Sequence, residues 1–293
     1  MFLLVALTML WIIHGYVAWR IIPSIGLTSF QSNLGYLLMF LLSLLPILPI
    51  LLRFYGSETK IIDKLSLVGY TSLGFFVITF ITLAIKDIFL QAVSITESLF
   101  ASDAFIDDSK RSFIKKSLSI GIIGISSSAT AYGFHLSRKG PTIIHQDIFL
   151  ESLPNNFENF TIAQISDLHV GPTIKRKYVE GVLQKIGQVN PDLIAVTGDL
   201  VDGSVKHLSG DLQPFKDLIA RHGTYFVTGN HEYYSGVDSW LEETDRLGMI
   251  NLINENRLIK IDGKHIAIAG ITDFRAHQIK REHKSDPKKA LES

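Results

Sequence analysis

The chain has 293 residues, no cysteine, and 28 basic and 28 acidic side chains. The lack of cysteine excludes disulfides, zinc–thiolate sites and a thiol nucleophile. The zero formal net charge gives no global electrostatic reason to expect nucleic-acid binding. Because most of the charged residues follow Glu151, we treat the chain as an apolar half followed by a soluble half.

Four apolar stretches come first, at about residues 1–22, 33–52, 65–90 and 113–136. A helix needs roughly 20 predominantly apolar residues to cross a bilayer core, and helices satisfy their own backbone hydrogen bonds in lipid. The pattern therefore predicts about four transmembrane helices within residues 1–136. Pro46 and Pro49 should kink the second helix without preventing it.

A basic cluster precedes the fourth stretch and bears on orientation. Its members are Lys110, Arg111, Lys115 and Lys116, and positive charge prefers the cytoplasmic side. This predicts that everything after residue 136 lies outside the cytoplasm. The same orientation leaves Arg53, Lys60 and Lys64 on the outer side, which counts against it.

From about residue 160 the pattern changes to short apolar runs alternating with amphipathic ones. Strands are predicted at 160–166, 192–198 and 224–229, and helices at 175–189, 211–222 and 237–248. Two further strands, 257–261 and 265–271, should form a hairpin around Asp262 and Gly263. Alternation of strand and helix indicates an α/β fold with a mainly parallel sheet.

Polar residues follow each of the first three strands. Asp167 and His169 follow the first, Asp199 the second, and Asn230 and His231 the third. In open α/β sheets, ligands collect at the carboxyl ends of strands. An aspartate at a strand end is often only a helix cap, but three such groups in order favour a site. Carboxylate, imidazole and amide oxygen suit manganese, iron, zinc or nickel, and a pair of such ions can assist displacement at phosphorus.

The segments ISDLHVG, TGDLVDG and TGNHEYY resemble the first three signature blocks of the calcineurin-like metallophosphoesterases. The resemblance covers about residues 160–273 and is closest to the bacterial branch that carries membrane segments. It implies a metallophosphoesterase-type α/β sandwich, two divalent metal ions (Mn, Fe, Zn or Ni) and a phosphoester substrate. It also implies a multi-pass protein of the bacterial inner membrane.

The resemblance assigns roles to individual residues. Asp167 and His169 would bind the first metal, Asp199 would bridge, and Asn230 would bind the second. His231 would face the phosphoryl group, with Asp202 holding its tautomer. Gly203 stands where the protein-phosphatase branch has an arginine, so a phosphoprotein phosphatase is not expected.

The sequence also departs from the family pattern at its end. Members continue with a further histidine and a Gly-His-x-His block, whereas this sequence ends KKALES. We do not expect His265, His277 or His283 to substitute. The resemblance therefore implies a C-terminally truncated domain that lacks its final strands and hydrolyses poorly.

These features predict a transmembrane region at 1–136, a linker at 137–159 and a partial metallophosphoesterase domain at 160–293. The predicted function is membrane-anchored, metal-dependent phosphoester hydrolysis, with lipid or cell-envelope phosphoesters as candidate substrates. One alternative is a non-catalytic remnant that binds metal or a partner. Another is a membrane protein that functions through its spans, which their scarcity of paired charge disfavours.

Overall fold

The structure is a computed structural model that describes residues 2–100 and 108–292. The chain divides into two compact units, Met1–Lys139 and Gly140–Ser293. The first unit is helical, and the second combines strands and helices. The helical unit thus ends at Lys139, before the change of sequence pattern near residue 160.

The first unit is a helix bundle. Its helices are α1 (Phe2–Ile21), α2 (Ser29–Leu44), α3 (Leu48–Phe54), α4 (Lys60–Phe100) and α5 (Asp108–Arg138). Helix α1 packs on α2 and α4, and α5 packs on α4. Val17, Phe76, Leu83 and Ile122 form the centre of its core. Most other large apolar side chains of α1–α4 are exposed, as expected for helices whose solvent is lipid.

Three segments of the described chain are long and apolar enough to cross a membrane: Leu4–Ile25, Ser29–Phe54 and Lys60–Thr96. The predicted kink in the second is confirmed, because α2 ends at Leu44 and α3 begins at Leu48, with Pro46 in the turn between them. The fourth predicted stretch lies in α5, outside these three segments. Its glycines and serines lower its mean hydropathy.

The second unit is built on a parallel sheet of β1 (Ile162–Ile165), β2 (Leu193–Thr197), β3 (Thr224–Val227) and β4 (Met249–Asn251), in that order. Helices α6 (Arg176–Val189), α7 (Val205–Leu212), α8 (Asn230–Ser235) and α9 (Val237–Arg246) connect the strands. This confirms the predicted α/β class and the parallel sheet. The very short β4, with the sequence Met-Ile-Asn, was not predicted.

The sheet is covered on both faces, and alternate residues of each strand point to opposite faces. Ile194, Val196 and Phe226 pack with the buried faces of the helices. Leu193 and Tyr225 pack instead against Ile259 of the antiparallel hairpin β5 (Glu255–Ile261) and β6 (Lys264–Gly270). The hairpin was predicted, and its turn places Asp262 and Gly263 at positive φ, as a two-residue connection requires.

The predicted helix at 211–222 is wrong in position. Helix α7 ends at Leu212, and a 3₁₀ helix, Gln213–Asp217, follows. Pro214 lacks the N–H that an α-helix would need there, and it is tolerated in the first turn of the 3₁₀ segment. Leu208, Leu212 and Phe215 are all buried, so the apolar stripe begins earlier than the prediction placed it. A short helix, α10 (Pro287–Leu291), ends the described chain.

Candidate metal centre

The turns after β1 and β2 bring polar side chains to the carboxyl edge of the sheet. Asp167, His169 and Asp199 all have positive φ, at 55°, 47° and 50°, a region that non-glycine residues rarely occupy. The two turns are joined through their backbones: Asp167 N–H donates to the Gly198 carbonyl (3.2 Å) and His169 N–H to the Asp199 carbonyl (3.0 Å). These hydrogen bonds hold the three side chains at one edge despite the unfavourable backbone conformation.

The ligand atoms of Asp167, His169 and Asp199 lie within 4.8 Å of one another. His169 Nε2 is 3.8 Å from Asp167 Oδ1 and 3.8 Å from Asp199 Oδ2, too far for hydrogen bonds. Ligand atoms that each bind one ion at about 2.0–2.2 Å lie at a comparable distance from each other. The donor set, two carboxylates and an imidazole, therefore fits a divalent transition metal in both chemistry and spacing.

A second group, His169, Asp202 and His231, also lies within 4.8 Å, but its geometry indicates a different role. His231 Nδ1 is 2.5 Å from Asp202 Oδ1, so the ring and the carboxylate hydrogen-bond each other directly. An ion between them would have to displace that hydrogen bond. The first group is therefore the better candidate for a metal site, whereas Asp202 and His231 form a hydrogen-bonded pair.

The third strand end contacts the other two through one hydrogen bond and one ring contact. His231 N–H donates to Asp199 Oδ1 (2.9 Å), and the His231 ring lies edge-on to His169 with centroids 4.5 Å apart. Asn230 is the first residue of α8 and follows Gly229 directly. A side chain at Gly229 would collide with the Asp199 carboxylate, so only glycine allows β3 to end this close to Asp199.

Glu232 is the residue of this region that the sequence analysis missed. Its side chain is 1% exposed and accepts hydrogen bonds from four backbone amides. Gly229 (2.7 Å) and Asp199 (3.0 Å) donate to Oε2, while Leu200 (2.8 Å) and Val201 (3.3 Å) donate to Oε1. Burial raises the pKa of the Glu232 carboxyl above its usual value, and the amide hydrogen bonds oppose that rise.

Glu232 therefore ties the loop after β2 to the start of α8 and fixes the position of Asp199. Its position carries a signal that could have revealed it. It lies three residues after Gly229, at the place where a glutamate reaches back to the start of a helix. The motif at the end of the third strand predicted Asn230 and His231 as site residues, but not the next residue, Glu232.

The three histidines that come after His231 in the chain lie elsewhere. His265 is on β6, and exposed His277 is 3.1 Å from the Phe274 carbonyl. His283 is buried, with its Nδ1 2.9 Å from the Tyr233 hydroxyl, and burial lowers its pKa. None of the three joins the candidate ligand groups formed by the described residues.

Comparison with known proteins identifies the second unit. Residues 160–289 match the family model of the calcineurin-like phosphoesterases. Two similar proteins, from Danio rerio and Bos taurus, are each named transmembrane protein with metallophosphoesterase domain. They are 28% and 30% identical over 78% of this chain and 52% of their own lengths. An uncharacterized metallophosphoesterase of Helicobacter pylori is 30% identical over 58% of this chain and 44% of its own length.

The chain thus spans about half the length of the curated relatives it matches. The family match covers all three turns that carry the candidate ligands and also the β5–β6 hairpin behind them. Residues 160–289 of this chain belong to the calcineurin-like phosphoesterase family.

Proposed function

We propose that the chain is a membrane-anchored, metal-dependent phosphoester hydrolase. The observation that carries the proposal is the convergence of Asp167, His169 and Asp199, whose ligand atoms lie within 4.8 Å of one another. They come from turns after adjacent parallel strands, the edge at which ligands of open α/β sheets collect. Family membership of residues 160–289 supports the same chemistry.

Asp167, His169 and Asp199 would hold one divalent ion, and Asp199 with Asn230 would contribute to a second. Manganese, iron, zinc and nickel all suit this donor set. Bound there, the ions would supply an activated water and neutralise charge on the phosphoryl oxygens. The partial exposure of His169 (33%) and Asp199 (15%) leaves the ligands accessible to a substrate.

We propose that His231 donates a proton to the leaving group. Asp202, as a carboxylate, accepts the Nδ1 proton of His231 across 2.5 Å, so Nε2 is the nitrogen left for substrate. The carboxylate also stabilises the protonated ring, which can then donate from Nε2 to a departing oxygen. The His231 side chain is 30% exposed, so a phosphoester can reach it.

The membrane anchor bears on substrate and location. We propose a phosphoester of a lipid or of the cell envelope as substrate, because three apolar segments would hold the unit near a bilayer. We further propose the bacterial inner membrane, with the soluble unit outside the cytoplasm. The basic cluster before residue 117 supports this orientation, whereas Arg53, Lys60 and Lys64 reduce the charge difference.

The catalytic proposal is tested on the detergent-purified full chain by two readouts, manganese binding and manganese-dependent hydrolysis of an activated phosphodiester. We expect Asp199→Ala to abolish specific manganese binding and any hydrolysis. The matched control is Asp192→Asn, which changes an aspartate at the opposite end of β2 and should leave manganese affinity unchanged.

Three other results would change the proposal. Manganese binding that survives Asp199→Ala would overturn the assignment of the metal centre. Specific binding without turnover would favour a non-catalytic, metal-binding role. For orientation, a reporter fused after Gly140 should show the extracytoplasmic side, and a cytoplasmic signal would reverse the assignment.

A further inference from the structure

A charged cluster joins helices α1 and α4 far along the chain from the metal centre. Arg20 forms an ion pair with Asp87, and the Tyr16 hydroxyl donates to the other Asp87 oxygen (2.5 Å). Lys86 Nζ also lies 2.9 Å from Asp87 Oδ1. Two cations therefore share one carboxylate, and the cluster carries one surplus positive charge.

The cluster lies at one end of the uncharged run of α4. Between Lys64 and Lys86, residues 65–85 of α4 carry no charged side chain. At about 1.5 Å per residue this run is about 31 Å long, which matches a hydrocarbon core of about 30 Å. Lys86 and Arg20, the first charged residue of α1, therefore mark the same edge of the core.

Arg20 has hydrogen-bonding capacity that its neighbours do not use. Its Nε is buried and has no hydrogen-bond partner among the described residues. The guanidinium lies 5.1 Å from the centre of the Trp19 ring, and Trp19 is itself 61% exposed. Tryptophan beside a basic residue is typical of the boundary between hydrocarbon and headgroups.

We propose that Arg20, Lys86 and Trp19 form a binding site for the phosphate of an anionic phospholipid. A phosphodiester offers several acceptor oxygens, and the planar guanidinium matches them through paired N–H donors. Its single negative charge balances the surplus charge of the cluster. The position of the cluster favours a lipid over a soluble phosphate ester. The phosphate of a lipid would lie at this depth, and its acyl chains would lie along the exposed apolar surface of α1.

The site is distinct from the metal centre, but it rests on the part of the proposed function that places α1 and α4 in a membrane. That placement is tested separately by washing membranes with carbonate. Release of the full chain by carbonate would overturn the placement, and the lipid site with it. Retention together with a failed lipid test would overturn the lipid site alone.

The lipid test measures binding of phosphatidylglycerol and phosphatidylcholine to the detergent-solubilised full chain by native mass spectrometry. We expect the wild type to prefer phosphatidylglycerol by about tenfold or more. Lys86→Gln removes the surplus charge but keeps the Arg20–Asp87 pair, and it should reduce this preference about fivefold, the effect typical of one basic residue at an anionic surface. The matched control, Lys64→Gln, changes an exposed lysine at the other end of the same uncharged run and should leave the preference unchanged.

Arg20→Lys is the second variant, because it retains both the charge and a partner for Asp87 while losing Nε and the planar fork. A reduced preference in this variant would support the site even if Lys86→Gln failed to fold. Equal effects of Lys86→Gln and Lys64→Gln would show general surface attraction and overturn the proposal. Displacement of phosphatidylglycerol by millimolar glycerol 3-phosphate would identify a soluble phosphate ester as the ligand and overturn the lipid assignment.

Discussion

Replacing Glu232 with glutamine tests whether one buried carboxylate organises the metal centre. Each Glu232 oxygen accepts two backbone amides. Glutamine keeps one carbonyl oxygen, but its NH₂ group would face two N–H donors that then lack an acceptor. At about 1–3 kcal/mol for each unsatisfied buried donor, the loss is roughly 2–6 kcal/mol.

A second effect offsets part of that loss. Burial raises the pKa of Glu232, which means that the ionised side chain is itself costly to bury, and glutamine avoids this cost. Two buried amides lose their acceptor, whereas the carboxylate that glutamine replaces is fully hydrogen-bonded and so less costly to bury. We therefore expect a net destabilisation of about 2–3 kcal/mol. Asp199 should also lose its fixed position, lowering manganese affinity by about 10–100-fold, as is typical when a group supporting a ligand is removed.

The assay combines thermal unfolding of the purified full chain with manganese titration. Glu243→Gln is the matched control, because Glu243 is a second buried glutamate that binds Arg246 on α9 through both oxygens (2.7 Å each). It should lower stability without changing manganese affinity. If Glu232→Gln binds manganese as tightly as Glu243→Gln does, Glu232 does not position Asp199.

Two further predictions concern other parts of the chain. The Thr161 backbone amide, which donates to Asp192 (2.9 Å), lowers the pKa of that carboxyl. Its ionised form therefore stabilises the fold above about pH 4 and loses that effect as the pH falls through the folded-state pKa. Chemical unfolding between pH 7 and pH 3 measures the difference in stability between wild type and Asp192→Asn. This difference should shrink below about pH 4, and a constant difference would contradict the stabilising role of ionised Asp192. In the bundle, a Cβ on Gly69 would lie 2.7 Å from the Leu45 carbonyl oxygen, whereas Gly74 has open space. Gly69→Ala should cost about 1–3 kcal/mol and Gly74→Ala should not, as measured by thermal unfolding in detergent; equal melting temperatures would refute the close approach.

The parts of the fold that follow from sequence are those with strong apolar periodicity. Each of the first three strands is an apolar run followed by glycine or a polar turn, so their order and parallel pairing could be predicted. Helix α6 could also be predicted, since its buried residues Val179, Val182, Leu183 and Ile186 recur at helical spacing. Strand β4 has only three residues, too few for any periodicity to show.

The contacts that sequence could not predict join residues distant in the chain. Arg20 and Asp87 are 67 residues apart, and neither local pattern indicates the other. Glu232 and the amides of Leu200 and Val201 are likewise distant. Strand-end motifs indicate which side chains reach the rim, but the supporting contacts depend on how the loops pack.

The backbone of the metal centre leads to a last prediction, in which stability and metal binding separate. His169 has a φ of 47°, a conformation that costs about 1–2 kcal/mol for a residue with a Cβ. Glycine adopts it without that cost, although a glycine also gives the unfolded chain more freedom. Both His169→Gly and His169→Ala remove the imidazole, so both should lose manganese binding.

With metal removed by a chelator, His169→Gly should be at least as stable as His169→Ala, the reverse of the order expected at a position with negative φ. Thermal unfolding of the two purified variants measures the difference directly. As a control at negative φ, a Cβ added to Gly181 in α6 would have open space around it, and Gly181→Ala should stabilise by about 0.5–1 kcal/mol. If His169→Ala is clearly the more stable of the two, the left-handed turn is not the native backbone. If glycine gives the more stable fold at this position, His169 lowers the stability of the chain. A functional role of its imidazole in metal binding would explain that cost.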